Sequence, residues 1–132
     1  MPSRRSVLAT TLALPGLALA QTAWPERPVT LVVPFAPGGS PDIAARIVAP
    51  RMGERLGQPA VVENRSGAGS TIGTRSVIGA RPDGYTALMG SISIMMAPLA
   101  MDPVPFDTAA SLRVASVLGT VPYILVVRAD AP

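Results

Sequence analysis

Cysteine, histidine and lysine are all missing from this sequence. Without cysteine and histidine there is no soft metal site, no disulfide and no thiol nucleophile. A Ser-His-Asp triad is excluded within the chain for the same reason. Without lysine there is no Walker A lysine and no Schiff base. Aromatic residues are scarce too: Trp24, Phe35, Tyr85, Phe106 and Tyr123 are all there are. What the chain does have is glycine and proline, 27 of 132 residues, which is below the level of a low-complexity tract. Arginine supplies every side-chain cation, 11 against 8 acidic residues, for a formal charge of +3. The length suits one domain of modest core, or part of a larger one.

Much of the positive excess belongs to the amino terminus. Arg4 and Arg5 precede an uncharged, mostly apolar run from Val7 to Ala18, followed by the small residues of Ala18-Leu19-Ala20. This reads as a secretory signal peptide over residues 1–20, with Gln21 opening the exported chain. The run is well short of the ~20 apolar residues of a bilayer span, and Pro15-Gly16 would break a core helix. Ser3-Arg4-Arg5-Ser6-Val7-Leu8 also resembles a twin-arginine signal, so the general secretory and twin-arginine routes both stay open. No later segment is long and apolar enough to span a membrane. The expectation is an exported chain with no direct membrane insertion after cleavage and no lipid anchored through cysteine. Nine arginines then face the eight acids, dispersed from 27 to 128 and not interleaved with aromatics. Nucleic acid is not the expected partner.

From Gln21 onward the pattern is strand, loop, helix. Pro28 to Phe35 is a β-branched apolar run bounded by prolines, as in a parallel strand buried on both faces. The turn Ala36-Pro37-Gly38-Gly39 leads to Ser40 as N-cap, Pro41 at the first helical position and Asp42 against the positive helix end. Ile43, Ala44, Ile47, Val48, Met52 and Leu56 give the helix its expected packing face, with Pro50 a kink or break and Gly57 the stop. A second strand is expected over Ala60–Glu63, a glycine-rich loop over 64–70, and a helix over Thr71–Ala80 packed through Ile72, Val77 and Ile78. After the turn Pro82-Asp83-Gly84, a third strand spans Tyr85–Gly90, and Ser91 opens a short helix toward Ala97. Leu112–Gly119 and Tyr123–Val127 are further strand candidates. The alternation predicts an α/β fold with a mostly parallel sheet, whose ligand edge lies at the carboxyl ends of the strands.

Several motifs lose on inspection. Gly67-Ala68-Gly69-Ser70-Thr71-Ile72-Gly73 approaches a dinucleotide fingerprint, but the third glycine falls one place late and no acidic residue lies between 84 and 101. No cofactor is expected. Asn64-Arg65-Ser66 matches a glycosylation sequon, a triplet common by chance, and is set aside. Glu26, Glu54, Glu63, Asp83 and Asp107 read as solvated or capping charges. Asp42 keeps two readings, helix capping or contact with a bound ligand.

Taken in order, Pro28 through Asp42, Leu56 through Gly69, Pro82 through Gly90 and Thr120 through Val127 resemble the Bug family, the periplasmic solute-binding proteins of tripartite tricarboxylate transporters. The resemblance implies a two-lobed α/β binding protein, non-catalytic, that holds a small carboxylated solute for membrane permease subunits. It implies ligand contacts from Phe35, Ala36, Gly38, Gly39, Ser40 and Asp42 in the first loop, Gly67, Ala68, Gly69 and Ser70 in the second, and Ser91 in the third. Where the family often has polar residues before a proline, this chain has Ile94-Met95-Met96-Ala97 before Pro98. Residues 21–132 match only the first part of such a protein, ending near the crossover to a second lobe, so weak or absent solute binding is expected of this segment alone. Two other readings remain: the front part of an exported enzyme with catalytic groups further on, or a truncated remnant without function.

Overall fold

A computed structural model describes residues 24–120, 122 and 124–129; the expected leader over 1–20 and Tyr123 lie outside the described residues. Strand β1 (Val29–Val33) is the centre of a three-stranded parallel sheet in the order β2-β1-β3, with β2 at Ala60–Asn64 and β3 at Thr86–Leu88. Val29 pairs with Ala60 and Val33 with Asn64 on one side, and Thr30 pairs with Thr86 on the other. Val29, Leu31, Val32 and Val33 are buried, so both faces of the strand are covered. Each such side chain contributes about 1.5–3 kcal/mol on full burial. The apolar run between prolines thus gives the buried central strand expected of it.

Helix α1 (Ser40–Leu56) connects β1 to β2, and α2 (Thr71–Ile78), entered through a 3₁₀ turn at Ala68–Ser70, connects β2 to β3. Because the two crossovers run in opposite directions across β1, the right-handed rule puts α1 and α2 on opposite faces. Gly57 closes α1 in the left-handed region at φ 69°, with its N–H on the Gly53 carbonyl. After β3 come the short helices α3 (Ser93–Leu99) and α4 (Thr108–Ser111). Among the described residues no helix is long and apolar enough to cross a membrane.

The structure corrects several expectations. The N-cap of α1 is Gly39 rather than Ser40, with no side-chain cap. The helix runs through Pro50 without a break. Its packed face is Asp42, Ala45 and Ala49, while Ile43 and Ile47 are exposed. The rotation follows from Asp42, which is anchored beneath the first loop and turns the isoleucines, about 100° per residue around the helix, toward solvent. Ile72 is likewise exposed, and α2 packs instead through Thr71, Gly73 and Thr74. Residues 112–120 form no strand, nor do 124–127, where Ile124, Leu125, Val126 and Val127 are exposed. A strand needs neighbours for its N–H and C=O groups, and no described strand pairs with these. Helix α4 was not anticipated; Asp107 caps it, accepting from the Ala110 N–H at 3.0 Å.

The amino end of the sheet is closed by side chains. Trp24 Nε1 donates to the Asp83 carbonyl at 3.1 Å, and its ring lies 5.9 Å from that of Tyr85. Arg27 stacks over Tyr85 at 3.8 Å and pairs with the Asp83 carboxylate at 3.1 Å. The Tyr85 hydroxyl accepts from the Glu26 N–H at 2.8 Å, and Asp83 Oδ1 accepts from the Tyr85 N–H at 3.1 Å.

Candidate functional site

All three strands are parallel, so the loops after Val33, Asn64 and Leu88 leave the same edge. The strand order changes direction between β1 and β3, the kind of switch point where open α/β sheets bind ligands. Two ladder extensions fix the loop roots: the Arg65 N–H donates to the Val33 carbonyl and the Met89 N–H to the Val32 carbonyl, both at 2.8 Å.

The first loop is held from below. Asp42, 3% exposed, accepts from the Gly38 N–H at 2.8 Å, from Arg46 Nε at 3.0 Å and from Asn64 Nδ2 at 2.9 Å. Arg46 first, then Gly38 and Asn64, favour the carboxylate and hold its pKa down at about 2. Asn64 also donates to the Phe35 carbonyl at 3.2 Å and accepts from Arg46 Nη2 at 3.1 Å. Its amide nitrogen is therefore turned inward, against the sequon reading. Of the first-loop residues expected to touch a ligand, Phe35 is half-buried, Ala36, Gly38 and Ser40 are exposed, and Gly39 is partly so. Asp42 is the exception: its carboxylate is occupied by protein donors.

The second loop stores backbone strain. Gly67, Ala68, Gly69 and Ser70 have φ of 132°, 45°, 60° and 78°. For Ala68 and Ser70 the left-handed region costs roughly 1–2 kcal/mol each. The Thr71, Thr74 and Ser76 hydroxyls all donate back to the backbone, at 2.7, 2.9 and 2.7 Å. Ser70 differs: it is 4% exposed and its Oγ has no partner. The loop is pressed onto the first by Gly73, where an added Cβ would stand 2.5 Å from the Arg65 carbonyl oxygen and 2.7 Å from Pro34 Cβ. Helix α3 closes the third side, with Ala97 Cβ at 3.3 Å from a Cβ built on Gly69. Ser91 lies exposed at the root of α3, its Oγ 2.8 Å from that of Ser93.

Neither α1 nor α2 has a side-chain cap at its amino terminus. At α2 the Thr71 N–H is already taken by the Ala68 carbonyl, and at α1 Pro41 has no N–H, so fewer than the usual four first-turn donors remain at each helix start. The cations nearest the rim are already engaged: Arg46 with Asp42 and Asn64, Arg65 with Glu63 at 2.7 and 3.1 Å. The arrangement is a loop edge whose nearest cations are neutralised by carboxylates.

Residues 44–132 match the family model described as the tripartite tricarboxylate transporter family receptor. The chain belongs to this receptor family. The family's members are periplasmic receptors, as the resemblance of the sequence implied. Protein BugT of Bordetella pertussis is 41% identical over 128 residues, covering 92% of this chain and 38% of BugT. MatC of Rhodopseudomonas palustris, solved with bound malate, is 38% identical with a TM-score of 0.56, covering 63% of this chain and 29% of MatC. An R. palustris protein solved with adipate is 46% identical with a TM-score of 0.53, covering 55% of this chain and 24% of that one. This receptor chain thus spans well under half the length of the relatives it matches.

Within the receptor edge, the residues missed by sequence reasoning are Asn64 and Arg46. Arg46 had a signal, since it stands four residues after Asp42 on one helix face. Asn64 had none beyond ending a strand, because its partners come from 22 and 29 residues away.

Proposed function

We propose that this chain contributes one wall of a periplasmic site for a small carboxylated solute, destined for the membrane permease of a tripartite transporter. The observation that carries the reading is Ser70: a buried hydroxyl without a partner, in a strained loop, at the uncapped start of α2. An unsatisfied buried hydroxyl costs about 1–3 kcal/mol, and a ligand carboxylate would relieve it. The oriented backbone would add about 0.3–1 kcal/mol, up to ~2 when partly buried. Gly39 and Ser40 in the first loop and Ser91 in the third complete the rim. Malate and adipate, bound by similar proteins, support this ligand class. Asp42 acts here by shaping the first loop, since a carboxylate already surrounded by donors offers nothing to an anionic ligand. The site is non-catalytic, the opposing wall comes from sequence outside this segment, and export precedes binding, by the general secretory or twin-arginine route.

An amide NMR titration of the chain with malate tests this. The expected result is millimolar or weaker binding, with shifts confined to Gly39, Ser40, 67–72 and Ser91, and their loss in Ser70→Ala. Shifts centred on Arg27 and Arg81 instead, or none at any concentration, would overturn it.

A further inference from the structure

Among the described residues, the Asn64 carboxamide is the one side chain that joins the end of β2 to both the Phe35 carbonyl and the Asp42 carboxylate. Its chemistry is matched to the task. Nδ2 carries two protons, one for Phe35 and one for Asp42 Oδ1, and Oδ1 accepts a hydrogen bond from Arg46 Nη2. Turned the other way, its oxygen would face two acceptors. Aspartate has no such donors, and an apolar side chain would leave the Phe35 carbonyl unserved and Asp42 with only Gly38 and Arg46. Asp42 in turn holds the Gly38 N–H at 2.8 Å. From strand end to loop tip, each group is oriented by the one before it.

We propose that Asn64 is a positioning residue that sets the conformation of the Phe35–Gly39 loop by acting through Asp42, without touching the solute. The inference rests on the carboxylate-site reading for its purpose, but its geometry can be tested without a ligand. Arg46, half-exposed, closes the network from the solvent side through Asp42 and Asn64. Glu63, one residue earlier on β2, pairs with Arg65 and takes no part.

The experiment compares the unliganded chain with Asn64→Asp, Asn64→Ala and Glu63→Gln, following the Gly38 amide by NMR and hydrogen exchange. A donor to a carboxylate resonates downfield and is protected. Asn64→Asp keeps the shape and removes the donors, so a purely packing role would leave Gly38 unchanged. The expected result is an upfield move and roughly tenfold faster exchange at Gly38, a free-energy change of about 1.4 kcal/mol, in both Asn64 variants and not in Glu63→Gln. If Asn64→Asp fails to fold, Asn64→Ala, which adds no second charge beside Asp42, gives the same reading. An unchanged Gly38 in a folded Asn64 variant, or an equal change in Glu63→Gln, would overturn the proposal. Malate affinity is read alongside, with about a tenfold loss expected in the Asn64 variants. If the unaltered chain binds no malate while Gly38 responds as described, the site reading fails and the positioning role stands.

Discussion

At the amino end of the sheet, Trp24, Arg27, Asp83 and Tyr85 satisfy one another through hydrogen bonds, a stacked guanidinium and an ion pair. At the carboxyl end, four successive residues hold positive φ and the buried Ser70 hydroxyl has no partner. The same three strands root both ends, so the contrast comes from the loops. A closed set of contacts needs nothing from outside, whereas strain and an orphaned donor mark where outside chemistry is expected. Asp42 and Asn64 give the carboxyl end its rigid floor, and the glycine loop gives it an unfinished rim.

The largest way to break this contrast is Gly73→Ala. Its Cβ would collide with the Arg65 carbonyl and with Pro34, backbone as well as ring, so α2 must lift from the first loop. A loss of about 2–3 kcal/mol is expected from such overpacking, read as a lower urea midpoint with unchanged slope. A variant as stable as the parent would show that the two loops are not pressed together at this point.

Acid tests the floor more gently. Asp42 has its pKa lowered to about 2 from an ordinary 3.8, so the folded state favours the carboxylate. The stability it contributes is full above pH 4 and is lost as pH falls toward 2. The stability gap between the parent and Asp42→Asn should therefore narrow over that window, followed by urea titration at each pH. A gap that stays constant from pH 5 to 2 would contradict the network. Smallest is Arg27→Ala at the amino end, where an exposed ion pair and a cation–π contact amount to roughly 0.5–1 kcal/mol. High salt should shrink the effect, and malate affinity should not change. A change in affinity would mean that the two ends are coupled.

The parallel sheet, the order of its elements and the edge where its loops gather were legible because they rest on local signals: β-branched runs between prolines, turn residues and glycine stops. Which side of each helix packs was not. Ile43 and Ile47 fit an apolar helical stripe, but the buried Asp42 outranks them, because a carboxylate with three kinds of donor waiting fixes the rotation of the helix. Local pattern also misread residues 112–119 and 124–127, whose apolar character resembles strands but which no described strand pairs with. Gly73 shows partial legibility. Its spacing defeats the dinucleotide fingerprint, yet it performs the close helix-to-strand approach that a third glycine allows.

Trp24 carries a practical consequence. It is the sole tryptophan of the chain, and a five-residue strand of about 16 Å separates it from the rim. Its emission, fed by Tyr85 at 5.9 Å, reports on the integrity of the far end and on unfolding. A solute arriving at the glycine loop should leave it silent, so a flat fluorescence titration is the expected signature of an occupied site as much as of an empty one. An optical reporter has to be planted at the rim itself, where Phe35→Trp would place an indole beside the first loop.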